Sequence, residues 1–421
     1  MHNAYEKKVY IAVFIFFLFV YVISARGQVQ GVDELTRFAS LTNLMEKNTL
    51  AIDELSELNE NIDFRIGFYG KDGHLYSKYS PGNVVFGGVL YFWSNLIFPQ
   101  LGGLLALYLN AFLGAIGILC LLIFSDRYFS LKTSLVVVIL IGLCSIWWYE
   151  SRGFGLETGA GTFLLMSLLL ADLGKAGGSA LLFSISLYFR TLNLLAWPIW
   201  GLSIMRTGRR AIWTALVILL FFIGLLAYNW VRFDSITNFG YDNSGFTTPI
   251  LFGLKGLFLS PGRSLFLYSP VFILALPGVW KWIQIDKPLS VVLTFTVVVY
   301  IFAVAAWVSW EGGWSWGSPL ITPIVPLIGI LIAPVVEAAW KKQWIFIIFV
   351  FFAVWGFAVN ILTLARDPLL VLKESVMTGA ISYESTVYTV ENSYLLLQIK
   401  ALSNWSSEMF DSLILRVIFT K

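Results

Sequence analysis

The sequence predicts an all-α, polytopic membrane protein, and three observations carry that prediction. Hydrophobic residues make up 58% of the 421 residues and charged residues only 13%, with a mean hydropathy of +0.79. No water-exposed globular surface tolerates that composition. Apolar blocks of up to roughly 20 residues, the length that crosses a bilayer core as a helix, alternate with short connectors along the chain. Every second connector is basic, which sorts those connectors to one face by the positive-inside rule.

The blocks give about eleven spans, at 9–24, 101–124, 133–149, 159–171, 177–189, 191–204, 211–230, 264–280, 289–309, 319–338 and 344–364. The first follows Lys7 and Lys8 like a signal-peptide core, but no small-residue cleavage site follows it and we read it as an uncleaved anchor. With the N-terminus inside, the inside connectors are 126–132, 172–175, 206–210, 281–287 and 341–342, all basic. The outside segments are then 25–100, 150–158, a tight turn near Arg190, 232–262, 310–318 and the chain from 366 onward. This divides the protein into a transmembrane domain, 1–365, and an outer C-terminal tail, 366–421. Stretch 84–98 is apolar but short and rich in glycine; as a full span it would move the Arg127/Lys132 connector outside, so it is expected to lie at the outer interface.

Composition also limits the chemistry. A net charge of +3, with basic residues distributed by topology, gives no nucleic-acid surface. The two cysteines, Cys120 and Cys144, fall in apolar blocks, which excludes a disulfide framework and a CxxC metal site. Two histidines are too few for a histidine-built metal centre, and a carboxylate-bound divalent cation stays open.

The most informative feature is an acidic pair, Asp33 and Glu34, just beyond the first span. Carboxylates beside an apolar zone are costly to desolvate and invite a functional reading. Leu35, Phe38, Leu41, Leu44 and Met45 follow at three- to four-residue spacing, which predicts an amphipathic helix beginning near Asp33. The plain alternative is that Asp33 caps that helix. Adjacent helical residues point about 100° apart, so Asp33 and Glu34 cannot both face one cleft, and Asp33 is the preferred base.

Asp72-Gly73-His74-Leu75-Tyr76-Ser77, running through Lys78 to Pro81-Gly82, resembles a motif of the polyprenyl-phosphate-sugar-dependent glycosyltransferases of the C-type (GT-C) membrane fold. That group includes protein O-mannosyltransferases and bacterial lipid A aminoarabinose transferases. The bacterial members show an acidic residue after the first span and a D-G-x-x-Y-S-x-x-x-P-G stretch opening an interfacial helix. Ser260-Pro261-Gly262-Arg263 at the start of a span and the Trp310-Glu311-Gly312-Gly313-Trp314-Ser315-Trp316-Gly317 turn also resemble the family, over roughly residues 9–365. One departure is that relatives continue W-G with P-R-Y, whereas this chain has Ser318-Pro319-Leu320. An arginine at that face must be replaced by another cation or be absent.

The resemblance implies an inverting transfer of a sugar from a polyprenyl phosphate to a glycan, lipid or protein acceptor at the outer face of a bacterial inner membrane. Such chemistry needs a base for the acceptor proton and cations for the departing phosphate. Asp33 is the expected base, with Glu34 its less suitable neighbour. Arg263, Lys78, Arg190 and Arg152 are the phosphate candidates; snorkelling, solvation in a loop and a surface turn are the plain alternatives for the first three. Tyr76, Ser77, Glu150, Glu157, Trp314 and Trp316 are candidates to line the substrate. His74 reads as a hydrogen-bonding loop residue, and Trp147, Trp148 and Tyr149 read as an interfacial belt. Asn404-Trp405-Ser406 matches a glycosylation sequon by pattern alone. Two other classes compete: a flippase or transporter of lipid-linked sugars, disfavoured by the lack of an internal repeat, and a scaffold acting through its tail.

Overall fold

A computed structural model describes residues 4–61, 65–99, 101–207, 211–240 and 245–403. The Asn404 sequon and the rest of the tail lie outside the described residues. Among the described residues six helices are long and apolar enough to cross a membrane: Tyr5–Ser24, Gly103–Asp126, Ile212–Phe233, Lys287–Ala306, Pro319–Ala339 and Gln343–Ala365. Shorter apolar helices include Leu131–Leu143, Ala176–Phe189, Ile250–Leu259 and Pro270–Ile285. Each expected span falls on helical structure, but several are broken. The span at 133–149 breaks after Leu143 because Ser145 starts a new helix, Ile146–Glu150, its hydroxyl accepting from the Trp147 N–H at 3.2 Å. The span at 264–280 breaks at Pro270, which has no N–H to continue the ladder.

Helix Pro319–Ala339 is the axis of the bundle: its most apolar stretch is 94% buried inside the protein, against 11% for Tyr5–Ser24 and 22% for Gln343–Ala365. A helix apolar on all sides is stable in the centre only if its neighbours approach closely. Gly278 permits this, since a Cβ there would lie 1.8 Å from the Leu331 carbonyl oxygen. At the end carrying the basic connectors, the buried Asp172 carboxylate takes Arg127 Nε at 2.9 Å, Arg206 at 2.6 Å and the Tyr128 hydroxyl at 2.6 Å. Arg206 reaches on to Asp286 at 2.5 Å. These pairs join four of the basic connectors.

At the other end the first loop is built on two helices, Val32–Lys47 and Gly82–Ile97, with a two-stranded hairpin, Gly67–Tyr69 and Leu75–Ser77, that hydrophobic periodicity did not predict. Gly73, at φ +82°, closes the hairpin turn. Helix Gly82–Ile97 packs Asn83, Val84, Gly87 and Tyr91 inward and exposes Val85, Val89, Phe92, Trp93 and Leu96. An outward face this apolar suits a helix lying in an interface. Helix Ile250–Leu259 stands inside the stretch expected as loop, packed on Lys287–Ala306.

Beyond Ala365 the chain forms helices Pro368–Met377, Tyr383–Tyr388 and Tyr394–Ser403. They are docked on the transmembrane part: Gln398 Nε2 donates to the carbonyls of Leu362 and Arg366 at 3.0 and 2.6 Å, and Asp367 pairs with Arg26 at 3.4 Å. Trp147, Trp148 and Tyr149 form no belt; each is buried, because helix Ile146–Glu150 turns back into the core beneath the loop.

Candidate functional site

The site is assembled where helix Val32–Lys47 meets the strap at 77–79 and the loop at 152–157. Gly31 caps that helix with no side-chain hydrogen bond, so Asp33 is not the cap. It lies in the first turn and is exposed. Among the described residues no hydrogen bond or ion pair is made by its carboxylate.

Glu34, one position on, has a different environment. It is buried; Oε1 accepts from the Phe154 N–H at 2.9 Å and faces Arg26 at 3.5 Å, and Oε2 accepts from the Gln30 N–H at 3.2 Å. The helical rotation between neighbours turns one carboxylate to the cleft and the other to the protein. Glu34 therefore ties the first span's exit to the Phe154 backbone.

Two cations flank Asp33. Lys78 is half-buried, its ammonium donating to the Arg65 carbonyl at 2.9 Å and lying 5.4 Å from the Tyr79 ring. Burial lowers its pKa; the Asp33 charge opposes that shift and Arg37 adds to it. Arg37 is the residue that sequence reading missed. It stands one turn from Asp33, donates from Nε to the Phe154 carbonyl at 3.1 Å, and stacks 4.6 Å from the centre of the Tyr79 ring. Its i, i+4 spacing from Asp33 was the available signal. Arg232, also unexpected, fixes the strap by donating to the carbonyls of Ser77 and Tyr79 at 2.5 and 3.2 Å.

A second cluster lies beyond the Phe154 loop. Arg190 and Glu157 form an ion pair between the ends of helices Ala176–Phe189 and Glu157–Asp172. A Cβ at Gly155 would lie 2.7 Å from Glu157 Oε2 and 3.3 Å from Glu150 Oε2, so the two carboxylates converge on one backbone point that only glycine leaves open. Burial pushes the Glu150 carboxyl up to about 8, and the neighbouring Glu157 charge adds to it. Asn110, fully buried beside them, donates to the Gly155 and Glu150 carbonyls at 2.8 and 3.3 Å.

The remaining candidates are held by protein partners. Arg152 gives Nε to the Ser24 carbonyl at 2.6 Å and its terminal nitrogens to Thr363 Oγ1 and O at 2.6 and 3.3 Å. Arg263 is 0% exposed and donates to the Ser315 and Gly313 carbonyls at 2.6 and 2.7 Å. It clamps the Trp-Gly turn and faces no cleft; snorkelling is excluded as well. Trp316 is 0% exposed, packed 4.8 Å from the Tyr268 ring and 5.5 Å from Tyr394, and Trp314 stacks on Tyr383 at 5.7 Å. Tyr76 is buried and bonds Asp72 at 2.7 Å, while Ser77 is buried under the Arg232 contact. His74 bonds Asp53 at 2.7 Å, the loop role expected for it. Among the described residues no group of three or more His, Cys, Asp or Glu stands together to hold a metal ion.

No protein-family model and no curated protein sequence matches this chain. Solved structures similar to it in fold include the following two. ArnT from Cupriavidus metallidurans, in a crystal structure bound to undecaprenyl phosphate, superposes with a TM-score of 0.56 at 14% identity, covering 96% of this chain and 78% of that one. The apo oligosaccharyltransferase of Archaeoglobus fulgidus superposes with a TM-score of 0.54 at 9% identity, covering 94% of this chain and 60% of that one.

Proposed function

This chain has the GT-C fold of membrane glycosyltransferases, and from that premise we propose that it transfers a sugar from a polyprenyl-phosphate donor to an acceptor at the extracytoplasmic membrane face. The observation that carries the reading is the exposed Asp33 carboxylate set beside Lys78 and Arg37 on the loop end of the bundle. The ArnT structure was solved with undecaprenyl phosphate bound, which supports a lipid-phosphate carrier as the donor class here.

In the proposed reaction the acceptor's hydroxyl or amine attacks the anomeric carbon, forming the new glycosidic bond as the carbon–phosphate-oxygen bond breaks. Asp33 takes the acceptor proton, and the polyprenyl phosphate leaves with the bonding electron pair. Configuration inverts because attack and departure occur on opposite faces of one carbon. Lys78 and Arg37 balance the charge that gathers on the phosphate, Arg37 through a planar fork suited to two phosphate oxygens. Glu157, Arg190 and Glu150 form the floor that meets the sugar. With Arg263 and Arg152 occupied, Arg37 is the cation we assign in place of the arginine that relatives carry after W-G.

The test is purified full-length protein with labelled polyprenyl-phosphate sugars and a panel of membrane acceptors. Transfer by the wild type and its loss in Asp33→Asn is expected. Equal turnover by the two proteins removes Asp33 as the base, and donor movement between leaflets of a vesicle without transfer replaces this reading with a flippase.

A further inference from the structure

The basic end of the bundle divides into two halves. In one, two described arginines have acids: Arg127 and Arg206 share Asp172, and Arg206 also meets Asp286. In the other, a cleft of about 370 Å³ opens between the connectors at 281–287 and 337–342, lined by Lys281, Lys341, Lys342, Phe129 and Glu337. Glu337 is the carboxylate in that lining, and it is turned toward helix Leu131–Leu143, accepting from the Thr133 hydroxyl at 2.6 Å and the Ser130 hydroxyl at 3.0 Å. Among the described residues no ion pair joins Lys281, Lys341 or Lys342 to a carboxylate.

Depth in the membrane is marked beside the same lysines. Trp280 precedes Lys281 and is 74% exposed, and Trp344 follows Lys342 closely and is 62% exposed. Exposed tryptophans next to lysines, at the ends of apolar helices, sit at headgroup level. The cleft thus combines three lysines and one carboxylate, Glu337, which feels the Lys341 charge but accepts its hydrogen bonds from Thr133 and Ser130, with Phe129 beside them at the depth of a lipid headgroup.

We propose that this cleft binds the headgroup of an anionic phospholipid from the leaflet on the basic side, its phosphate among Lys281, Lys341 and Lys342. Positive-inside topology alone makes lysines frequent here, but it does not require three of them around one cleft while Arg127 and Arg206 nearby are paired with carboxylates. Phospholipid is the favoured occupant over a soluble anion because the flanking tryptophans hold the opening where acyl chains begin. The site is separate from the proposed transfer centre, at the opposite end of the bundle.

The test is native mass spectrometry of the full chain in mild detergent, titrated with phosphatidylglycerol or phosphatidylcholine of matched acyl chains. Wild type is expected to retain phosphatidylglycerol with roughly tenfold preference. The triple variant Lys281→Ala/Lys341→Ala/Lys342→Ala is expected to lose that preference, and the corresponding triple Lys-to-Arg variant to keep it. Lys7→Ala/Lys8→Ala, which removes basic charge elsewhere on the same expected face, is the control and should also keep it. Unchanged preference in the alanine triple, or equal loss in the Lys7/Lys8 control, overturns the site. Full displacement of the lipid by inorganic phosphate alone shows a soluble-anion site and overturns the lipid assignment. If the alanine triple fails to fold, the arginine triple decides: loss of preference there overturns the proposal.

Discussion

The loop around Asp33 and the turn around Arg263 carry similar sequence signals and have opposite structural fates. Each places charge and aromatic residues beside glycine near the end of a span. Around Asp33 the carboxylate is exposed, and the two cations beside it donate to the backbone carbonyls of Phe154 and Arg65. Around Arg263 the guanidinium, Trp316 and Tyr394 are all sealed, and the docked C-terminal helices close over them. A charged residue near the membrane surface is therefore a weak sign of function. A charge whose protein partners leave it open to a cleft is a stronger one.

That contrast can be broken by experiment. The largest effect is expected at Asp33: Asp33→Asn should lower turnover by about 10²-fold or more, with an unchanged thermal melt because the carboxylate is exposed. A loss of turnover below tenfold would put Asp33 on the same footing as the closed turn. Next comes donor binding. Arg37→Ala or Lys78→Ala should weaken donor affinity by roughly 10- to 100-fold, the loss of one charge-assisted hydrogen bond, measured by donor titration. Arg263→Met should do the reverse, costing about 3 kcal/mol of stability by leaving buried carbonyls unpaired while folded protein keeps its donor affinity. A donor-affinity loss with an unchanged melt would restore Arg263 to the site.

A subtler effect concerns Glu150. Its carboxyl is raised from 4.5 to about 8, so the native state holds a proton that the unfolded chain has released. Stability from this group is fully present below pH 4.5 and is lost as the pH rises through about 8. Glu150→Gln should flatten the decline in melting temperature across that window, and a parallel decline in both proteins would show the carboxyl already ionised at neutral pH. The smallest effect is expected at His74, exposed and paired with Asp53: His74→Ala should change turnover by less than about twofold.

Legibility in the sequence followed the range of the interactions. Span positions came from local hydrophobicity and fall on helical structure, six of them on helices among the described residues long enough to cross a membrane, and the Val32–Lys47 helix came from local periodicity. The short hairpin escaped because three-residue strands carry too little pattern, and helix Ile250–Leu259 because its ten residues are too few for a span. Arg37 was overlooked although its spacing from Asp33 was visible. The contacts of Arg263, Arg152 and Trp316 could not be read because their partners, the carbonyls at 313 and 315, Thr363 and Tyr394, are distant in sequence.

By itself the sequence determined the class of molecule, the order of its long apolar segments, and the position of an acidic residue at the start of the first loop. Apolar burial in lipid depends on the composition of each segment, and that is local information. Only the tertiary structure decided which of two adjacent carboxylates faces the cleft and which arginines are closed. Glu34 and Arg37 both meet Phe154, 120 and 117 residues away. Desolvation and hydrogen bonding act on whatever lies within a few ångströms, and folding alone brings those groups together.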